Sequence, residues 1–331
     1  FIAQLQKAVA KLSEGYPDEP AWKVQFVITT HSPHVANAAT FEAVRYFLNA
    51  DPVVAGTRET KVKDFKKGMA TIPDPDKDFL HQYMTLTKCD LYFADKAIMV
   101  EGTTERILVP KLCDLADLKL PIEHKLARQY VTTMEVGGAY SHLFYPLIDI
   151  LELKTLVITD IDSVIGVAVK TKTGKDTTKY KKCLVVDGER TSNSAIRHWF
   201  DTTSSPNPPH IKPSDLLAKT DEEKTSGVRR LAYQIPEVKG TDVCARSFED
   251  ALVLANPKRF ELEEDESMAS DAWEMAKDMG KADTALQFAI REKDCVAPRY
   301  IREGLAWLAE PPPPPSELPP VQPPDTDSKA S

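Results

Sequence analysis

Apolar residues recur at helical spacing at the start of the chain, where Ile2, Leu5, Val9 and Leu12 share one face and Gly15 follows as a stop. Residues 24–30 (VQFVITT) then switch to a short β-branched run that predicts a strand. The Ser32-Pro33 pair after it suits the cap and first position of a new helix. Residues 41–95 are mixed, with a strand near 44–48 and a helix around 78–88. From Lys96 the pattern becomes regular. Strands are predicted at 97–100, 129–134 and 156–159, separated by helices at 104–115, with Pro110 as a kink point, and at 140–151. Such alternation implies an α/β fold, a parallel sheet flanked by helices on both faces. Beyond Asp162 the expectation is a hairpin-like insertion at 163–182, a short strand at 184–186 and a helix at 194–200. A polar segment at 203–226 leads to a strand at 230–235 and then to helices from 248 to about 308. The proline-rich tail from 311 to 331 cannot bury enough apolar surface to fold and is expected to be disordered.

Composition narrows the class without choosing a function. Hydrophobic residues make up 42% and charged residues 28% of 331, as in ordinary globular proteins, and no apolar run is long enough to span a bilayer. The five cysteines form no CxxC pair, which argues against a zinc ribbon or a disulfide framework and suits the cytoplasm. A net charge of −8 excludes coating of nucleic acid by bulk charge, yet an enzyme can gather acids around cations and keep basic strips for phosphates. Phe1 already lies inside a helical pattern, so the chain reads as a fragment of something longer.

The chemistry concentrates at two strand ends. The first strand runs into Glu101-Gly102-Thr103-Thr104-Glu105, and the third into Asp160-Ile161-Asp162. In a parallel sheet the carboxyl ends of the strands share one edge, where ligands bind, so these acids are expected to converge. Gly102 is expected to let the backbone turn sharply and admit a phosphate. Converging carboxylates repel one another unless a cation sits between them, and hard ions such as Mg²⁺ or Mn²⁺ prefer oxygen ligands. Each acid also has a plain explanation: Glu105 opposes a helix dipole, and Asp-x-Asp is an ordinary loop sequence. Together, a strand-Glu-Gly-helix followed by a strand-Asp-x-Asp matches the Toprim signature.

The resemblance extends further. Residues 25–37 (QFVITTHSPHVAN), 191–193 (TSN) with Trp199, 246–251 (RSFEDA), Lys281 with Phe288-Ala289, and 299–308 (RYIREGLAWL) resemble the C-terminal region of OLD-family (overcoming lysogenization defect) nucleases. That family joins an ABC-type ATPase to a Toprim domain, and related systems act in defence against phage. The resemblance implies that residues 1–50 are the end of the ATPase domain, 51–95 a connector, and 96–310 the Toprim nuclease with its helical part. It implies a DNA endonuclease or nickase using two Mg²⁺ or Mn²⁺ ions, held by Glu101, Glu105, Asp160, Asp162 and an acid of the 247–250 segment. Glu249 is favoured for the last and Asp250 is its alternative, since Ser247-x-x-Asp250 is also a capping box. Glu101 is further assigned as a proton acceptor, and Lys281 stabilises charge on the phosphate unless it is only a surface lysine. His31 matches the histidine that senses the ATP γ-phosphate.

No GxxxxGK[ST] loop occurs, so ATP is expected only in a full-length protein that dimerises through its ATPase part, and His31 is inactive here. DNA is the expected partner and a membrane is not. Lys179, Lys181 and Lys182, with Arg246, are assigned to the DNA backbone, although a solvated hairpin explains the lysines equally well. A Toprim topoisomerase or primase lacks its companion domain here, and an inert regulatory module is the non-enzymatic alternative.

Overall fold

The computed structural model describes residues 2–16, 22–32, 35, 39–50, 59–84, 89–138, 140–171, 175–203, 205, 207–290 and 295–311. The expected tail lies almost wholly outside these residues, as does most of the helix expected after Ser32.

The chain opens with helix α1 (Ile2–Glu14), then the antiparallel pair β1 (Arg45–Ala50) and β2 (Glu59–Asp64), and helices α2 (Phe65–Gly68) and α3 (Asp74–Tyr83). Residues 24–30 are not a strand. They are irregular and mostly exposed, and no strand among the described residues pairs with them. A β-branched run alone does not make a strand without a ladder partner.

The central unit follows: β3 (Lys96–Val100), α4 (Thr103–Asp117), β4 (Val131–Glu135), α5 (Tyr145–Leu151) and β5 (Lys154–Ile158). Next come β6 (Ser163–Lys170), β7 (Asp176–Lys182), β8 (Arg190–Thr191), α6 (Ser194–Trp199), α7 (Pro213–Leu217), β9 (Thr225–Ser226) and β10 (Arg229–Ala232). Four helices close the described chain: α8 (Phe248–Ala255), α9 (Met268–Asp278), α10 (Lys281–Ile290) and α11 (Arg299–Ala309). The main sheet has the order β4-β3-β5-β10-β9, parallel except for β9 at its edge. The α/β class is therefore as expected. The hairpin β6–β7 pairs with β8 in a second, antiparallel sheet.

Strand alternation divides the core in two. Ala97, Met99, Val157 and Leu231 face a core containing Phe65, Phe144, Leu147 and Tyr233. Their neighbours Ile98, Val100, Leu156, Ile158 and Ala232 face another, with Leu108, Phe248, Leu252 and Leu305. Both faces of β3 and β5 are buried throughout, which is why these strands are continuous apolar runs. Several boundaries differ from expectation: the helix expected at 78–88 already begins at Asp74, and the strand expected at 230–235 ends at Ala232. The segment before α5 begins as a 3₁₀ turn at Ser141–Phe144, and Pro146 enters α5 in its first turn, where its missing N–H costs nothing. Residues 184–186 turn instead of pairing, because the Leu184 and Val185 carbonyls accept from Asp187 and Gly188 at 3.2 Å.

Candidate active site

The carboxyl edge of the sheet holds a pocket of about 410 Å³ lined by Glu101, Gly102, Thr103, Thr104, Glu105, Gly138, Asp160 and Glu249. Glu101 leaves the end of β3, Glu105 lies in the first turn of α4, Asp160 follows β5, and Glu249 stands in the first turn of α8. Four acids from three parts of the chain thus converge.

Each strand-end acid is braced by a neutral or cationic partner. Glu101 Oε1 accepts from Asn193 Nδ2 at 2.7 Å, the Asp160 N–H at 3.1 Å and the Thr159 hydroxyl. Asn193 also donates to Thr159 Oγ1 at 2.8 Å, and its own Oδ1 caps α6 through the Ile196 N–H at 3.2 Å. Burial raises the Glu101 pKa, the three hydrogen bonds oppose that rise, and Asp162 adds to it. Asp160 is pushed well above the ordinary carboxylate range, first by burial and then by repulsion from Glu101, Glu105, Asp162 and Glu249. Its Oδ1 accepts from Gln234 Nε2 at 2.6 Å, while Gln234 Oε1 receives the Ile161 N–H at 2.8 Å and the Tyr300 hydroxyl lies 3.4 Å from Nε2. Asp162 adopts a left-handed backbone (φ 50°), and its Oδ1 meets Arg246 at 2.9 Å.

Two glycines matter through space. The chain bends at Glu101-Gly102 as expected, but the Gly102 backbone is extended (φ −142°, ψ −179°), a conformation any residue adopts, so the bend itself does not require glycine. A side chain at 102 would instead stand 3.2 Å from Glu105 Oε2. At Gly138 a Cβ would fall 2.5 Å from the Glu101 carboxylate, so that loop must be bare for the acid to lie against it.

The other expected residues separate clearly. Asp250 does not line the pocket. Its oxygens accept from the Arg246 N–H (2.8 Å), the Ser247 N–H (2.8 Å) and the Ser247 hydroxyl (2.6 Å), completing a reciprocal box at the start of α8. Arg246 was expected on DNA, but its side chain is only 5% exposed and is engaged by Asp162. A guanidinium sunk beside an acidic pocket neutralises its neighbour and offers no outer face to a phosphate. Lys179, Lys181 and Lys182 lie exposed on β7. Lys281 opens α10, although its side chain lies outside the described residues, and His31 is exposed in the irregular segment 22–32.

Gln234, the partner of Asp160, and Tyr300 behind Gln234 were missed. Ala232 pairs with Ile158, so Gln234 sits two residues past the end of β10 as Asp160 does past β5. The edge rule that located the acids would have located this amide too.

The donor chemistry fits hard divalent cations: carboxylate oxygens without a cysteine or histidine at the pocket wall. Among the described residues, however, no three His, Cys, Asp or Glu side chains are drawn close enough to form a ready-made metal cage. The acids rest on their own donors. No helix among the described residues is long and apolar enough to cross a membrane.

Residues 92–162 match the family model described as "Overcoming lysogenization defect protein-like, TOPRIM domain". Over 94% of its length the chain is 24% identical to the endonuclease GajA of Bacillus cereus (strain HuB5-5), and it spans 46% of that relative. The two similarities link the chain, at the level of the superfamily, to Toprim nucleases.

Proposed function

We propose that the chain is the catalytic part of an OLD-like, metal-dependent DNA endonuclease or nickase that hydrolyses phosphodiesters with two divalent cations. One observation carries the reading: Glu101, Glu105, Asp160 and Glu249 line a single pocket, where burial first and then repulsion from the other acids raise the Asp160 pKa. A protein keeps such a cluster where a cation is to be held.

In this reading Glu101, Glu105, Asp160, Asp162 and Glu249 would hold Mg²⁺ or Mn²⁺, while Asp250 stays with its helix cap. The cations supply Lewis acidity when bound, acidifying water and offsetting charge on the phosphate. Glu101 accepts the proton of the attacking water, and the Asn193 and Thr159 donors hold its carboxylate in line for that transfer. Lys281 meets the charge developing on the phosphate oxygens. Lys179, Lys181 and Lys182 follow the DNA backbone. In a longer protein an ABC-type ATPase part would bind ATP, with His31 as its switch histidine, and pair two subunits.

The test is supercoiled plasmid incubated with the chain and Mn²⁺, Mg²⁺ or Ca²⁺, without ATP. Nicked and linear products are expected with at least one metal. A strict requirement for ATP, or intact plasmid with all three metals, would sink the proposal.

A further inference from the structure

Outside the carboxylate pocket, one arginine is held as if for a ligand. Arg190, on β8, stacks its guanidinium over the Tyr180 ring of β7 at 3.2 Å. Its Nη1 lies 2.7 Å from His210 Nε2. Burial first, then Arg190 and Arg197, hold the His210 pKa below its ordinary value, so the imidazole is neutral at pH 7 and Nε2 accepts from the arginine. Arg197 in turn ties down the loop carrying His210, donating to Asn207 Oδ1 at 2.8 Å and to the Pro208 carbonyl.

The rest of the guanidinium is uncommitted. Among the described residues Arg190 forms no ion pair, and the adjacent Glu189 carboxylate is taken by the Gly166 N–H at 3.0 Å. One of five N–H donors is spent on His210. A planar cation fixed by an aromatic face and one acceptor, with its remaining donors in a rigid fork, matches the oxygens of a phosphodiester. Strand pairing adds a second charge. Val164 of β6 is opposite both Lys182 and Arg190, so the two cations flank it on one face of the small sheet.

Arg190 also stands close to the pocket along the chain. It precedes Asn193 by three residues, and the Asn193 amide reaches Glu101 at 2.7 Å. We propose that Arg190, stacked on Tyr180 and oriented by His210, is a clamp for a backbone phosphate of DNA whose scissile phosphodiester is held at the carboxylate pocket. The DNA assignment rests on the nuclease reading; the anion site itself does not.

Binding is measured by fluorescence anisotropy of a labelled DNA duplex with the 331-residue chain in EDTA, where metal-dependent cleavage is silent, across a series of salt concentrations. Arg190→Ala is expected to weaken binding by about tenfold and to lower the salt slope by about 0.9, the counterion release of one phosphate contact. Arg190→Lys should restore the slope but not the affinity, because an ammonium keeps the charge and loses the planar stack. Parental affinity and slope in Arg190→Ala overturn the proposal, as does a parent chain that fails to bind DNA at low salt. If Arg190→Ala melts below the parent, Arg190→Lys decides alone, and parental affinity in that variant overturns the clamp. Hydrolysis of bis(p-nitrophenyl) phosphate by the parent chain with Mn²⁺ judges the carboxylate pocket separately, so the two ideas fall independently.

Discussion

At the amino edge of the main sheet, Lys96 and Lys154 stand side by side in register on β3 and β5, both almost fully buried. At the carboxyl edge of the same two strands stand Glu101 and Asp160. Each edge buries a pair of like charges and gives them neutral hydrogen-bond partners, but only the acids line a pocket. Lys96 Nζ donates to the carbonyls of Ala309 and Glu310 at 3.0 Å, and Lys154 Nζ to that of Glu310 at 2.9 Å and to that of Trp307. The lysines thus serve the unpaired carbonyls at the end of α11, where a cation also suits the helix dipole. The acids at the other edge receive hydrogen bonds from neutral amides and hydroxyls, and Arg246 answers only Asp162. Both pairs stay under strain, the lysines with pKa values lowered and the acids with pKa values raised by burial, and only the strained acids open onto a pocket that a cation could enter.

The strongest way to break this comparison is to remove an acid. Asp160→Asn should abolish plasmid cleavage, yet melt higher than the parent in EDTA because one repelling charge has gone. It should also lose most of the rise in melting temperature that Mn²⁺ gives the parent. An unchanged cleavage rate would end the metal-site assignment, and a lower melting point in EDTA would mean the acids are not in conflict.

Lys281→Ala tests whether the chain supplies a cation of its own to the reaction. Cleavage should slow by about 10²-fold or more while calorimetry finds nearly unchanged metal affinity. Loss of metal binding would make the lysine a support for the acids instead.

Gln234→Ala removes the donor that orients Asp160 and, with it, the acceptor of the Ile161 N–H. Activity or metal affinity should fall by about 10-fold to 100-fold, in the range usual for groups that position a metal ligand. Parental values for both would show that Asp160 needs no brace.

The amino edge should respond to pH and not to metal. Burial lowers both lysine pKa values to about 8 from an ordinary 10.5. Below about pH 8 each lysine is protonated folded and unfolded alike, and the cost of burial stands in full. Between about 8 and 10.5 the unfolded chain binds more protons, so these groups make stability rise with pH. The parent should therefore gain in melting temperature on a Lys96→Met, Lys154→Met variant as pH climbs from 7.5 to 9.5. A constant difference would remove burial as the cause.

Most of the carboxyl edge was legible in the sequence because strand-turn-helix patterns are local. The continuous apolar runs of β3 and β5 announced a covered parallel sheet, and Glu101 and Asp160 follow from where those runs stop. What escaped notice depends on contacts across long separations. Gln234 meets Asp160 from 74 positions away, and Asn193 meets Glu101 from 92. Arg246 depends on the same kind of contact: its charge suggested a phosphate partner, and only tertiary packing discloses Asp162 beside it. The run at 24–30 failed for a related reason, since strand propensity needs a neighbouring ladder to act.

Helix α11 carries a consequence for the order in which the molecule is made. Lys96 and its acceptor at Ala309 are 213 positions apart, and Gly304 lies where a side chain would strike Leu156. At about 5–20 residues per second of ribosomal synthesis, that separation takes roughly 10–40 s. Throughout that interval the part of the sheet that α11 will cover has no partner, and late, long-range closure of this kind is slow. Tyr300, on the same helix, also stands behind Gln234. A nascent chain halted before Arg299 would hold the acids of β3 and β5 without the wall that backs their brace, so the pocket takes its final form only once α11 has been made.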